Sequence, residues 1–370
     1  MKRIIFTAAS LLLCISFFAA PAAAAAVPSV GAQSAVLMEA ESGEILYNHN
    51  GDTRLPMAST TKIMTALVAI EHTKHLDKEV RVAEEAAGIE GSSIYLSAGE
   101  KLTMEQLLYA LMLESANDAA AAIACEVAGS VDDFASLMNE KAEELELTNT
   151  HFTNPHGLDN EEHYTSAADL GKLASTAMQN ETFKKIVSTY KNKIPLNGSE
   201  GTRVLVNHNR LLQSYDGTIG VKTGFTKRSG RCLVSAAERD GVTLVAVTLN
   251  DPDDWKDHKT MLDYGFSMYQ RYTLAEEGTL TFNIPCTGGQ KDCITATNKD
   301  SLSLSLPKSG GPITTVLEAE QFLYAPIKKG ALVGYTVFLR DGQEIGRVPM
   351  YADAACPTVK LQKGIFHFFK

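Results

Sequence analysis

The sequence predicts an α+β fold: one antiparallel sheet whose strands come from both ends of a long segment, with a helical insert between them, followed by a small all-β domain. Three observations predict it. Strand-like apolar runs occur near residue 35 and return after residue 220. Between them apolar residues recur at helical spacing, and after Leu274 short alternating runs separated by Pro and Gly take over. A length of 370 residues suits two domains.

The chain opens with Lys2 and Arg3, an apolar run from Ile4 to Ala20, and small residues from Pro21 to Ala26. Residues 1–26 therefore read as a secretory signal peptide, cut near Ala24 to Ala26. The apolar run is short for a membrane span. Cys14 follows Leu13, where a lipoprotein signal would want a small residue. Cleavage removes two of 34 basic residues and none of 44 acidic ones, so the remaining chain is the more acidic. No nucleic-acid partner is expected, because that needs a basic face.

Ala35 to Ala40 and Glu44 to Asn48 read as strands around the turn Glu41-Ser42-Gly43. A helix is expected from about Ser59, carried by Ile63, Met64, Ala66, Leu67 and Ile70. Leu102 to Leu113 is helical in pattern, with Thr103 and Gln106 placed as a capping box. Asp118 to Ala128 and Val131 to Leu145 continue the insert, and Ser166 with Asp169 marks another helix start. Strands resume at Gly220 to Gly224, Arg231 to Ala236 and Val242 to Thr248, with Asp240-Gly241 as a hairpin turn. A helix from Trp255 to Tyr269 closes this domain, expected over 30–272. The second, over 275–356, offers strands at Gly278 to Ile284, Ser301 to Leu306, Gln321 to Tyr324 and Leu332 to Leu339.

Five cysteines follow the signal, too few in so long a chain for a disulfide framework. Cys125 and Cys232 sit in apolar runs and read as buried and inert. Cys286 and Cys293 flank a turn-rich loop, where a local disulfide and two free thiols both fit. No His accompanies them, so no metal is expected there. Trp255 among Asp253, Asp254, Asp257 and His258 reads as packing and capping rather than a metal cluster.

Three short motifs carry the chemistry: Ser59-Thr60-Thr61-Lys62, Ser115-Ala116-Asn117 and Lys222-Thr223-Gly224. A serine hydroxyl needs a neighbouring base, and Lys62 lies one helical turn from Ser59. The amine must be neutral, which the helix's positive end and a second cation, Lys222, would favour. Ser115, in a turn between helices, can relay a proton to a leaving group, and Asn117 can hold a substrate amide. Lys222 and Thr223 offer a charge and a hydroxyl to a carboxylate. Gly224 allows close approach of a substrate strand, and the N–H groups of Ser59 and Phe225 are oxyanion-hole candidates. Each motif alone is weak. Ser188 to Lys191 and Lys308-Ser309-Gly310 are decoys that lack the surrounding elements.

In this order the motifs resemble those of the penicillin-recognising serine enzymes. The chain resembles the serine-type D-alanyl-D-alanine carboxypeptidases, the low-molecular-mass penicillin-binding proteins, from about Ser34 to Ala355. The stretches 56–65, 113–120, 154–159 and 220–224 add to the likeness. The resemblance implies that Ser59 attacks the terminal D-Ala-D-Ala amide of a peptidoglycan stem peptide, releasing D-alanine and leaving an acyl-enzyme that water cleaves. Lys62 would be the base, Ser115 the relay, and Lys222 with Thr223 the carboxylate anchor. β-Lactams would acylate the same serine, no cofactor or metal is implied, and the protein would work outside the cytoplasmic membrane, in cell wall or periplasm.

The chain departs from the family at Asn207-His208-Asn209-Arg210, where some members carry an arginine near the carboxylate and this one carries His208. Thr358 to Lys370 reads equally as a short amphipathic membrane contact or a plain tail. His156, in Asn154-Pro155-His156-Gly157, and Asp159 read as ordering their loop. The alternatives are a class A-like β-lactamase, which needs an added glutamate that neither Glu161 nor Glu162 supplies in the expected pattern, an endopeptidase or transpeptidase with the same machinery, and a catalytically silent wall-binding protein.

Overall fold

The computed structural model describes residues 26–196 and 201–359. The expected signal peptide, apart from Ala26, and residues 360–370 of the expected tail lie outside the described residues. The chain divides into two compact units, one closing at Tyr269 and the other opening at Gln270.

The first unit contains strands β1 (Ser34–Glu39), β2 (Ile45–His49), β3 (Glu79–Arg81), β4 (Lys101–Thr103), β5 (Lys191–Pro195), β6 (Thr202–Val206), β7 (Thr218–Thr226), β8 (Gly230–Arg239) and β9 (Val242–Leu249). Its helices are α1 (Lys62–His72), α2 (Met104–Leu113), α3 (Asn117–Ala128), α4 (Val131–Glu144), α5 (Ala167–Met178), α6 (Glu181–Ser188), α7 (Leu211–Ser214) and α8 (Asp254–Met268). The main sheet is antiparallel in the order β2-β1-β9-β8-β7, so strands from both ends of the segment meet at the β1–β9 pair. Alternation along β1 serves two cores. Val36 and Met38 face the helical insert, while Ala35 and Leu37 pack with Met261 and Leu262 of α8. The two-residue turn between β8 and β9 places Asp240 and Gly241 at φ +50° and +76°, which suits Asp-Gly.

The insert is less uniformly helical than its apolar spacing implies. Two short antiparallel strand pairs, β3–β4 and β5–β6, lie within it. Their strands are mostly exposed and polar, so they leave little hydrophobic signature. The α2 capping box forms as expected, with Thr103 Oγ1 accepting from the Gln106 N–H and Gln106 Oε1 accepting from the Thr103 N–H. Ser166 likewise caps α5 by accepting from the Asp169 N–H. The first helix differs from expectation: α1 starts at Lys62, and Ser59 lies in a preceding 3₁₀ turn, Ala58–Thr61. Ala58 at φ +46° breaks the α-helical path there.

From the end of α8 eight strands follow: β10 (Tyr269–Ala275), β11 (Thr281–Thr287), β12 (Cys293–Asn298), β13 (Leu302–Pro307), β14 (Ile313–Ala319), β15 (Leu323–Tyr324), β16 (Leu332–Arg340) and β17 (Gln343–Ala352). Six form one sheet in the order β14-β16-β17-β12-β11-β15, and β10 pairs with β13. The core is small, centred on Ile284, Ile294, Ala296 and Met350. No helix among the described residues is long and apolar enough to cross a membrane.

Of the two arrangements open to Cys286 and Cys293, the structure has two thiols with no bond between them. In the β11–β12 register Cys293 faces Pro285, so the Cys286 side chain points to the opposite face of the pair. Cys125 is half-buried rather than buried, and its thiol donates to Glu85 Oε1 at 3.2 Å. Burial and the Glu85 carboxylate push that thiol up to about 12.

Candidate active site

Three parts of the first unit converge on one cleft of about 490 Å³: the 3₁₀ turn before α1, the turn between α2 and α3, and strand β7. Strand β7 is an edge of the sheet, so one of its sides is free of a neighbouring strand. Its backbone is pressed against the serine turn. A Cβ on Gly224 would lie 3.1 Å from Met57 O, Ser59 N and Thr60 N, which is why a glycine stands there. On another side, a Cβ on Gly157 would lie 2.0 Å from Ala58 O, and Gly157 has φ +90°. The Asn154–Leu158 loop is thus held against the turn that bears Ser59.

Lys62 is fully buried, and its Nζ has three oxygens in reach: Ser59 Oγ at 3.0 Å, Asn117 Oδ1 at 2.7 Å and the His156 carbonyl. The Asn117 orientation is set by its other end, where Nδ2 donates to Glu90 O at 2.6 Å. Asn117 Oδ1 and the His156 carbonyl can only accept. A neutral amine has two protons and one lone pair. The two acceptors take the protons, and the lone pair is left facing the Ser59 hydroxyl. Burial, followed by the nearby Lys222 charge, holds Lys62 well below the usual lysine range; Asp118 opposes the shift. Lys222 is also buried and lowered to about 7, by burial against the pull of Glu114, and its Nζ donates to Thr223 O at 2.9 Å.

Ser115 sits between α2 and α3 at φ +60°, a backbone conformation costly for a residue with a Cβ, and lines the cleft with Ser59, Thr223, Gly224 and Phe225. Phe225 is 67% exposed at the cleft edge. His208 is there too, its Nε2 3.5 Å from Glu114 Oε2. Burial and Lys222 lower it despite Glu114, so the imidazole is neutral at pH 7. Asn117 is buried beside the cleft, and both ends of its amide are engaged, with one lone pair and one proton left over.

Other groups stand where the sequence does not announce them. Asp118 accepts from Ser93 Oγ at 2.6 Å and Leu96 N–H at 2.9 Å, fixing the loop beside Asn117. Arg210, Arg231 and Trp255 extend the cleft beyond the Lys-Thr-Gly strand. The two guanidiniums lie 5.9 and 5.7 Å from the Trp255 ring centre, and Arg231 donates to both oxygens of Asp254 through Nε and Nη2. Trp255 therefore faces the cleft rather than only capping a helix. His258 is buried between Thr248 Oγ1 and Ser235 Oγ, at 3.1 and 3.0 Å. His156 serves through its carbonyl, while its ring Nδ1 accepts from the Leu158 N–H. Asp159 accepts from Thr226 Oγ1 at 2.9 Å, tying the loop to β7. Among the decoys, Ser188 ends α6 and Lys191 begins β5, so no helix joins them. Glu161 and Glu162 are exposed.

Residues 21–253 match the family model of D-alanyl-D-alanine carboxypeptidase, and residues 269–358 match that of the C-terminal domain of penicillin-binding protein 5. The chain is 36% identical over 332 residues to the D-alanyl-D-alanine carboxypeptidase DacF of Bacillus subtilis, covering 87% of this chain and 85% of that protein. It is 30% identical to DacA of Escherichia coli, covering 95% and 91%. Among solved structures, penicillin-binding protein 5 from Haemophilus influenzae aligns with a TM-score of 0.70 at 27% identity, covering 89% of this chain and 98% of that one. The Streptomyces K15 DD-transpeptidase aligns at 0.62 and 36% identity, covering 66% and 100%.

Proposed function

The chain belongs to the D-alanyl-D-alanine carboxypeptidase family and is a serine-type enzyme of the low-molecular-mass penicillin-binding kind; on that premise we propose which residues perform the reaction. Ser59 is the nucleophile and neutral Lys62 its base. The Ser59 proton passes to Lys62 as Oγ adds to the carbonyl of the terminal D-Ala-D-Ala amide. The N–H groups of Ser59 and Phe225 hold the oxyanion; the close packing of Gly224 on the serine turn supports that pairing. The proton then returns through Ser115 to the leaving D-alanine nitrogen, and the C–N bond breaks. Water later cleaves the ester with Lys62 again as base. Lys222 and Thr223 hold the terminal carboxylate, with His208 beside them, and Asn117 orients Lys62 while offering its spare donor to the acyl chain. β-Lactams acylate Ser59 in the same way. We also assign residues 30–272 to the peptidase domain and 275–356 to the β-rich one, and place the mature protein outside the cytoplasmic membrane, a reading supported by the signal-like residues 1–26 and by the relatives' classes.

The observation that carries these roles is the buried Lys62 Nζ, 3.0 Å from Ser59 Oγ with its protons committed elsewhere. The test is incubation with a β-lactam and with a D-Ala-D-Ala peptide. A lasting adduct on Ser59 by mass spectrometry, with D-alanine release, is expected. An adduct on another residue refutes the assignment, and fast β-lactam turnover without D-alanine release points to a β-lactamase.

A further inference from the structure

Of the five cysteines among the described residues, two meet. The Cys286 thiol donates to Cys356 Sγ at 3.1 Å, across a sequence separation of 70 residues. Both are buried. Cys286 lies on β11, in register with Leu323, and Cys356 bridges Ile327, so both flank the strip 323–327. The loop after β11 closes over the sulfurs through Gly289. A Cβ there would lie 2.3 Å from Cys356 Sγ and 2.8 Å from Cys286 Sγ, so a glycine is needed for the lid to fit. Cys293 is exposed and faces the other way; Cys125 and Cys232 lie in the first unit.

We propose that Cys286 and Cys356 form a disulfide that staples the last described segment, 353–359, to the sheet of the β-rich unit. The proposal rests on the reading that the protein is exported, since protein thiols at contact are oxidised outside the cytoplasm and kept reduced within it. The sulfurs need to close by about 1 Å to reach a bond length of about 2.05 Å. The two thiols give up two protons and two electrons as the S–S bond forms. A disulfide-bearing oxidant takes them and is split into two thiols. The consequence is mechanical. Cys356 is held otherwise by a two-bond bridge, its N–H to Ile327 O and the Ile327 N–H to Cys356 O, both at 2.9 Å, by its thiol donating to Lys291 O at 3.6 Å, and through its neighbours by the Gln290 N–H to Pro357 O and the Val359 N–H to Gly288 O. The covalent tie would keep this segment seated, and with it the point from which residues 360–370 depart.

The test uses the full mature chain, secreted from an exporting host and purified without reductant. Free thiols are alkylated in denaturant at mildly acidic pH, and the protein is digested and mapped by mass spectrometry. Alkylated Cys125, Cys232 and Cys293, with the Cys286 and Cys356 peptides joined and two hydrogens lighter, is the expected result. A second sample is treated with oxidised glutathione. Linkage there but not in the secreted sample shows that the two thiols can pair but overturns the proposal that they are bonded in the exported protein. No Cys286–Cys356 linkage in either sample, or a bond through Cys293, overturns the inference and leaves export untouched. Reduction of the wild-type chain should speed hydrogen exchange at the Ile327 and Cys356 amides by about tenfold or more. Cys293→Ala should leave both linkage and exchange unchanged, whereas equal exchange with and without reductant would deny the staple.

Discussion

The two units bury different chemistry. The first encloses Lys62, Lys222, Asp118, Asp251, His163 and His258 among its apolar side chains. In the second, among the described residues, the buried polar side chains are Asn298 and Ser305, and its ion pairs, such as Arg347 with Glu344 and Glu318, lie at the surface. A buried amine lowered below its usual range costs stability at neutral pH, because the unfolded chain would gain a proton there. The first unit bears that cost at Lys62 and Lys222, and the same depression is what the proposed role of Lys62 as a base requires. The second unit carries no such burden, and its stability should be indifferent to the conditions that titrate the first.

Acid gives the largest contrast. Burial lowers His258 to about 3 and His163 to about 4. Both are neutral in the folded unit while the unfolded chain protonates near 6.5, so their contribution is complete above pH 6.5 and lost as pH falls toward 4 and 3. Asp251 works in the opposite sense. Burial raises it to about 6, so it gains stability as pH falls from about 6 and offsets part of the loss. His156, lowered to about 3 chiefly by burial, adds to the loss, and the first unit should lose on the order of 5 kcal/mol or more between pH 7 and 4. The second has no described histidine and should hold its stability across that window. Calorimetry from pH 7 to 4, with hydrogen exchange to assign each transition, measures this. Parallel loss in both units would break the contrast.

The next effect is on rate. Lys62→Arg keeps a long basic side chain but installs a permanently charged group that does not give up its proton, so acylation by a β-lactam should fall about 10³-fold or more. Arg347→Lys, a comparable exchange among the surface pairs of the second unit, should leave it within twofold. Glycines offer a finer comparison. Gly157→Ala drives a Cβ into Ala58 O at φ +90° and should displace the serine turn, costing about 3 kcal/mol and about 10²-fold in acylation. Gly278→Ala, at φ +76° with nothing within 4 Å, should cost about 1 kcal/mol and leave acylation unchanged. Equal losses from the two would mean that strain, not the packing on Ser59, sets the effect.

How much of this was legible in the sequence follows from the range of each signal. The capping box at Thr103, the Asp-Gly hairpin and the order of the three motifs are local and emerge where expected. Strands β14 and β17 carry little sequence signature. The first is largely exposed, and the second carries Gly346 and Pro349, which disguise a strand. The acceptors that set Lys62 were invisible for another reason. The His156 and Glu90 groups concerned are backbone carbonyls, which every residue has, and only tertiary packing selects them. Cys286 and Cys356 meet across a separation of 70 residues, beyond any spacing rule, whereas Cys293, near Cys286 in sequence, faces away from it.

The smallest effect tests the boundary between the two kinds of burial. His208 is half-exposed at the cleft rim, where desolvation is partial and Lys222 keeps the ring neutral. A neutral imidazole offers a substrate carboxylate a hydrogen bond without a charge. His208→Arg would place a permanent cation there, within reach of Glu114, which can partner it when substrate is absent. The KM for a D-Ala-D-Ala peptide should fall about three- to tenfold with kcat changed less, and the gain should shrink as salt rises, since the site is open to solvent. A penicillin that also bears a carboxylate should acylate faster by a similar factor. If KM rises instead, the added charge is spent on Glu114, whose other oxygen already accepts from the Val206 N–H at 2.6 Å, and the rim behaves as part of the buried network rather than as surface.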